Sequence, residues 1–206
     1  MEKFEQPRRE RQESAEVKIL SSNGIDEAVE CFADAIARDW PNSKEEATNW
    51  VFDEFHNPDS KILGVYDKDN LAGTCSLVPL NFVLERLEKA SVNEHQLVLN
   101  ALNQELKIDL LKAIYVGGFS VKKEYEGQGI AWRLFTFAEN LAISNEYEAL
   151  VASTARPSEK YKKIQALHLA LSKYKMRELS LPHKIFYPSP DDLEKVWLYE
   201  LLEQYG

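Results

Sequence analysis

The feature that most constrains this chain is the stretch from residue 118 to 135, which reads GFSVKKEYEGQGIAWRLF. It begins as an apolar strand, turns through a polar segment with two spaced glycines, and continues as an amphipathic helix. Gly127 and Gly129 therefore lie where a strand leads into a helix N-terminus. Unpaired N–H groups and the helix dipole attract an anion there, and glycine adds no Cβ to keep a phosphate away. The pattern predicts a site for a phosphorylated cofactor.

The net charge narrows the classes of ligand. The chain has 206 residues, enough for one well-buried domain, with 34 acidic and 25 basic side chains and a formal charge of -9. An extended nucleic-acid surface would need clustered Lys and Arg, so we expect no nucleic-acid partner. The acidity favours a cationic or amine substrate, although maintaining solubility is the alternative explanation for it.

We expect no membrane span and no exported, disulfide-bonded protein. No apolar run approaches the roughly 18 residues that a membrane helix needs, and the charged N-terminus does not read as a signal peptide. Cys31 and Cys75 lie far apart and match no metal or redox spacing. We therefore expect both to be reduced core residues of a cytoplasmic protein. Residues 1–15 read as a mobile tail and residues 16–206 as a single domain.

Apolar periodicity and turn residues divide the chain into strands and helices. Strands are predicted at residues 17–20, 61–66, 71–78, 113–121, 148–154, 177–187 and 195–202. Helices are predicted from the apolar stripe that starts at Ile25, after the capping box of Ser43 and Glu46, over 130–144, and after Pro157.

Two further features stand out within this order. The segment 80–112 contains no Gly or Pro and carries a capping box at Ser91 and Glu94, so it predicts a helical insertion. The pair Gly117-Gly118 interrupts an apolar strand. Such a pair marks a bulge, or a place where a ligand approaches the backbone.

The order of elements resembles the GCN5-related N-acetyltransferase (GNAT) superfamily over residues 16–204. The segment VKKEYEGQGIA, residues 121–131, is similar to that family's acetyl-CoA pyrophosphate motif, Gln/Arg-x-x-Gly-x-Gly/Ala. Gly129 and Ala131 occupy its two small positions, and Glu126 stands where Arg or Gln is usual. The resemblance implies an α/β (α+β) fold, whose mixed, mostly antiparallel sheet of about seven strands is flanked by helices.

The resemblance also implies how acetyl-CoA binds as the cosubstrate. In the family, the pantetheine arm lies between two strands that separate at a bulge, and it pairs with an open strand edge. The backbone N–H groups of the glycine turn bind the pyrophosphate. The residues assigned in this way are Phe119, Ser120 and Val121 on one strand, Ser153 and Thr154 on the facing strand, and Glu126, Gly127, Gln128, Gly129, Ile130, Ala131 and Trp132 around the pyrophosphate.

The activity implied is that of an acyltransferase, an N-acetyltransferase that moves an acetyl group from acetyl-CoA to an amine of a small molecule or peptide. The amine must lose a proton and the departing thiolate must gain one. The family often uses a tyrosine as general acid, but Leu171 occupies that position here. Tyr174 is the candidate general acid and His168 the candidate base in the same predicted helix. A packing tyrosine and a satisfied interior histidine are the alternative interpretations.

Several alternatives stay open. A Rossmann turn needs a third glycine that is absent here, and no Walker loop occurs, but a tight turn without a ligand fits the motif. A non-catalytic acyl-CoA-binding regulatory module of the same fold is the rival function. The apolar stripe of the insertion suits a subunit interface, so the protein is expected to be a monomer or a homodimer. The four histidines show no ligand spacing, and we expect no metal.

Overall fold

A computed structural model describes residues 15–39, 44–90, 96, 99–100, 102–104, 109–155, 176–181 and 194–200. The strands are β1 (Glu16–Ile19), β2 (Lys61–Asp67), β3 (Asn70–Pro79), β4 (Ala113–Val121), β5 (Ala149–Ala155), β6 (Met176–Leu181) and β7 (Glu194–Glu200). The helices are α1 (Ser22–Asp39), α2 (Lys44–His56), α3 (Leu80–Ala90) and α4 (Ile130–Ser144), with short 3-10 turns at Leu110–Lys112 and Lys123–Tyr125.

The described strands form a mixed sheet in the order β1-β2-β3-β4-β5-β7-β6. β4 and β5 pair in parallel, and the other neighbours pair antiparallel. The parallel pair is joined by α4, which is the crossover helix that a parallel connection requires. The mixed sheet flanked by helices is confirmed, while the strand number of the whole chain stays a prediction.

Helices cover both faces of this sheet. Successive residues of a strand point to opposite faces, and on β2 Leu63 contributes to the cluster with Leu134 of α4. Its neighbour Ile62 contributes to a second cluster, with Phe32 of α1 and Phe55 of α2. The apolar faces that periodicity assigned to these helices are therefore turned toward the sheet, α4 on one side and α1 with α2 on the other.

Most element bounds agree with the sequence to within a residue or two. α4 covers the predicted residues 130–144, and the hairpin of β2 and β3 turns at residues 67–70 as expected. Of the predicted insertion, α3 and the 3-10 turn at Leu110–Lys112 are described, and α3 begins directly after β3. The capping box at Ser91 and Glu94, the helix after Pro157 and the strand residues 182–187 lie outside the described residues.

The N-terminal segment is described from Ala15 onward. Ala15 packs against the cluster beneath α4, and its carbonyl accepts a hydrogen bond from the Arg133 guanidinium. The chain is therefore anchored at Ala15, which is the last residue of the expected tail. Residues 1–14 lie outside the described residues.

Candidate functional site

The sheet opens between β4 and β5. The two strands pair only from Ala113 with Ala149 to Val116 with Ala152. Beyond these pairs, β4 continues along β3 as far as Val121, and β5 continues along β7 as far as Ala155. We call the opening between residues 117–121 of β4 and 153–155 of β5 the fork. Its two facing edges carry backbone groups that the ladder between β4 and β5 does not use.

A β-bulge in β4 accompanies this opening. Ser76 of β3 pairs with Gly117 and Thr74 pairs with Ser120, so three steps along β4 match two steps along β3. Gly118 has φ +53°, a left-handed conformation that glycine adopts without steric cost. A bulge bends its strand, and this one lies where β4 leaves β5. The bulge expected from the glycine pair is confirmed.

The close approach at the glycine pair is made by α2. A Cβ on Gly118 would lie 2.4 Å from the ring of Phe55, so that ring packs directly on the strand backbone. A Cβ on Gly117 would lie 2.7 Å from Oε2 of Glu54 and 2.6 Å from the ring of Tyr115. The two glycines therefore let α2 bring a carboxylate to the apex of the fork.

Glu54 is a site residue that sequence reasoning missed. Its side chain is fully buried, its Oε1 lies 2.8 Å from a guanidinium nitrogen of Arg86, and Ser76 donates a hydrogen bond to Oε2 at 3.5 Å. Burial raises the pKa of the Glu54 carboxyl, while Arg86 and Ser76 act in the opposite direction. Its helical spacing from the buried Val51 was the available signal, because that spacing puts a carboxylate on the apolar face of α2.

The glycine loop, residues 126–129, connects the 3-10 turn after β4 to α4. Gly127 and Gly129 have φ of +75° and +78°, and Gly129 is the N-cap of α4. The N–H of Arg133 donates to the Gly129 carbonyl at 3.1 Å, which is the first bond of the helix. The N–H groups of residues 130–132 precede that bond and have no intrahelical acceptor, and the cap glycine has no side chain to supply one. This end of α4 has the geometry of an anion site.

Space above the loop is open at Gly127. A Cβ placed there would meet no atom within 4 Å. The N–H of Gln128 donates to the Tyr125 carbonyl at 3.3 Å and so closes the turn, and its side-chain amide donates to the Glu124 carbonyl at 2.8 Å. Among the predicted pyrophosphate donors, Gln128 therefore holds the loop in shape.

The three predicted pantetheine partners on β4 differ in which edge of the strand their backbone N–H and C=O groups face. The N–H of Lys122 donates to the Ala72 carbonyl of β3 at 2.9 Å. Backbone groups alternate between the two edges of a strand, so Ser120 also faces β3, whereas Phe119 and Val121 face the fork. The hydroxyl of Ser120 is buried 3.4 Å from the sulfur of Cys31.

Arg38 of α1 reaches the glycine loop. Its guanidinium donates to the Val121 carbonyl at 2.8 Å and lies 3.0 Å from the Glu126 carboxylate. It also lines an open groove of about 630 Å³ between α1 and residues 122–124. The loop position that carries a carboxylate instead of the usual cation is therefore paired with a cation from a distant helix.

The remaining predicted residues are distributed as follows. Ser153 and Thr154 lie on β5 beyond its last pair with β4, and they pair with Val196 and Lys195 of β7. Trp132 is 44% exposed in the first turn of α4. Tyr174 and His168 lie outside the described residues.

The described part of the chain has no cluster of metal ligands. No group of three or more His, Cys, Asp or Glu side chains there could hold a metal ion. None of the described helices has the length and apolarity to cross a membrane. Cys31 and Cys75 are buried free thiols, as expected.

Comparison with known proteins identifies the family. The model of the acetyltransferase (GNAT) family matches residues 29–162, so the chain belongs to the GNAT acetyltransferase family. This match covers the fork, the glycine loop and α4. No curated protein matches the sequence.

Solved structures share the fold at low sequence identity. The chain resembles the putative acetyltransferase yncA of Salmonella typhimurium, solved with acetyl-CoA, at 11% identity and a TM-score of 0.57, with 94% of this chain and 97% of that one covered. It resembles a chimera of spermidine N-acetyltransferase SpeG from Vibrio cholerae and hSSAT at 12% identity and a TM-score of 0.57, with 92% and 97% covered. The N-acyl amino acid synthase FeeM from uncultured soil microbes gives 14% identity and a TM-score of 0.58, with 92% of each chain covered.

Proposed function

We propose that this protein transfers the acetyl group of acetyl-CoA to an amine of a small molecule or peptide. The observation that carries the proposal is the fork, which opens beside a bulge and is followed by a glycine loop at the N-terminus of α4. An extended pantetheine arm needs an unpaired strand edge, and a pyrophosphate needs convergent N–H donors. Both are offered by one continuous stretch of chain, residues 117–132.

The residues present fit acetyl-CoA. The main-chain groups of Phe119 and the N–H of Val121 would pair with the pantetheine arm, with Ser153 and Thr154 on the opposite side of the fork, while the Val121 carbonyl stays bonded to Arg38. The open space at Gly127 would admit a phosphate that a side chain would exclude. The N–H groups of Ile130, Ala131 and Trp132, with the dipole of α4, would hold its charge.

Acetyl-CoA supplies an activated acyl group as a thioester, and the chain supplies position and proton handling. Holding an amine and a thioester in line accelerates their reaction strongly without a covalent step. Tyr174 is the proposed general acid for the departing sulfur, and His168 is the base proposed from sequence. Backbone N–H groups at the fork would stabilise charge that develops on the carbonyl oxygen.

Calorimetry and thiol release together test the proposal. Acetyl-CoA added to the protein should release heat with one-site stoichiometry, and adding a panel of primary amines should then release free CoA thiol. Gly129→Val should abolish the binding heat while circular dichroism stays that of the wild type. Binding without thiol release for any amine would instead support the acyl-CoA-binding regulatory module, and absence of binding would overturn both functions.

A further inference from the structure

A carboxylate stands at the apex of the fork. Gly117 is the residue of β4 that follows the last pair with β5, and Oε2 of Glu54 lies 2.7 Å from the position of a Cβ on Gly117. Because Gly117 has no side chain, nothing of that residue separates the carboxylate from the strand backbone. The carboxylate thus lies beside the point where the edge of β4 first becomes unpaired.

The surroundings fix the direction of this carboxylate. Arg86 of α3 holds Oε1 at 2.8 Å, and the Ser76 hydroxyl of β3 faces Oε2. Tyr115 of β4 closes the same space beside Gly117, and the charge of Asp53 on α2 disfavours ionisation of Glu54. With Oε1 taken by Arg86, Oε2 is the oxygen turned toward β4.

Stability alone does not account for a carboxylate at this position. A buried ion pair contributes little net stability compared with apolar packing of similar volume, because both ions lose their hydration. Burial also raises the pKa of the Glu54 carboxyl, and a higher pKa makes a carboxylate a better proton acceptor.

We propose, resting on the acetyl transfer proposed above, that Glu54 is the general base for the acceptor amine. The acceptor ammonium gives one proton to Oε2 of the buried Glu54 through a relaying water, and its nitrogen becomes nucleophilic. That nitrogen forms a bond to the acyl carbon, the C–S bond breaks, and the second nitrogen proton passes to the departing sulfur. Glu54 then returns its proton to solvent, so one acetyl group is transferred and one proton is released.

Two amines of different basicity separate this role from a structural one. Propylamine is protonated at neutral pH and needs a base, whereas 2,2,2-trifluoroethylamine is already largely neutral. Glu54→Gln keeps the size and hydrogen-bonding capacity of the side chain but cannot take the proton. We expect it to slow transfer to propylamine by about 100-fold or more, and to leave transfer to trifluoroethylamine within about threefold of wild type.

Controls keep the outcome interpretable. Glu45→Gln alters an exposed carboxylate near the start of the same helix and should leave both rates near those of wild type. His168→Gln tests the rival base: selective slowing of propylamine in His168→Gln, and not in Glu54→Gln, would assign the proton transfer to His168 and overturn the inference. The rate with propylamine should rise with pH through one ionisation and level off in the wild type, whereas in Glu54→Gln it should keep rising with the fraction of free amine.

Each outcome of these measurements bears either on the role of Glu54 or on the proposed function. Equal slowing of both amines in Glu54→Gln, with acetyl-CoA binding intact by calorimetry, would assign Glu54 a structural role and overturn the inference. Unchanged rates, or a wild type that binds acetyl-CoA yet acetylates neither amine, would overturn it as well. A wild type that binds no acetyl-CoA would overturn the proposed function itself, and calorimetry distinguishes that failure from the others.

Discussion

The guanidinium of Arg38 lies 3.0 Å from the carboxylate of Glu126, and the two residues are 88 positions apart in the chain. The contact joins the end of α1 to the glycine loop. Glu126 alone would place a negative charge beside a site suited to phosphates. Arg38 offsets that charge, and through its bond to the Val121 carbonyl it also ties α1 to the end of β4.

Removing Arg38 should therefore weaken acetyl-CoA binding. Arg38→Met leaves Glu126 uncompensated, and we expect the Kd to rise about tenfold, which corresponds to ~1.4 kcal/mol. Adding Glu126→Gln should recover most of this loss, because the repelling charge is removed with its partner. Lys44→Met is the matched control. Lys44, at the start of α2, forms an ion pair with Asp34 of α1, so this variant also removes one cation from an ion pair and should leave the Kd near that of wild type. Titration calorimetry at low and high salt measures the Kd of wild type and of the three variants. An Arg38→Met protein that binds acetyl-CoA as tightly as wild type would contradict the prediction.

Gly118 and Gly127 both have a left-handed backbone conformation, so alanine substitutions at the two positions can be compared by their effect on the free energy of unfolding. Gly118→Ala places a methyl group 2.4 Å from the Phe55 ring and strains the backbone, so it combines about 1–2 kcal/mol of strain with about 1–3 kcal/mol of overpacking. Gly127→Ala carries similar strain but meets open space, and should cost only about 1–2 kcal/mol. Urea unfolding measures both. Equal losses of unfolding free energy in the two variants would show that α2 moves away from the glycine pair and relieves the contact with Phe55.

The glycine loop should be more sensitive in binding than in stability. Gly127→Ala puts a methyl group where we expect a phosphate, so acetyl-CoA binding should weaken by about tenfold or more even though the protein folds. Isothermal titration of the folded variant with acetyl-CoA tests this. Wild-type affinity in Gly127→Ala would mean that the nucleotide does not approach the loop at that residue.

The stability of the protein should report the titration of Glu54. Burial raises the pKa of this carboxyl above its ordinary value of 4.5. A group of this kind stabilises the folded state fully below its ordinary pKa, and the contribution is lost as pH rises through the raised value. The free energy of unfolding of wild type relative to Glu54→Gln should therefore fall as pH rises above 4.5. Parallel pH profiles in urea unfolding would contradict the raised pKa.

Both cysteines should be inert in the folded protein. Burial raises the pKa of the Cys31 and Cys75 thiols, and the thiolate is the reactive form. A chromogenic disulfide reagent should react with neither thiol under native conditions and with both after unfolding in urea. Rapid labelling of Cys31 in the native state would mean that the groove beside α1 opens around it.

Local sequence signals predicted the parts of the site that lie within one stretch of chain. The glycine spacing predicted the loop and α4, and the pair Gly117-Gly118 predicted the bulge, because these features depend on backbone conformation of adjacent residues. Glu54 and Arg38 could not be assigned in the same way. Each acts through a contact with a residue dozens of positions away, and apolar periodicity shows which face of a helix is buried but not what that face meets.

The bulge at residues 118–119 has a consequence for how the fork is specified. Across this stretch β4 has one residue more than β3, and this extra residue produces the mismatch in the ladder. Side-chain substitutions that preserve the number of residues leave the mismatch in place, whereas deleting one residue would restore an even ladder. The fork therefore depends on the number of residues in β4 and not on the identity of any one side chain, so we expect it to withstand most point mutations.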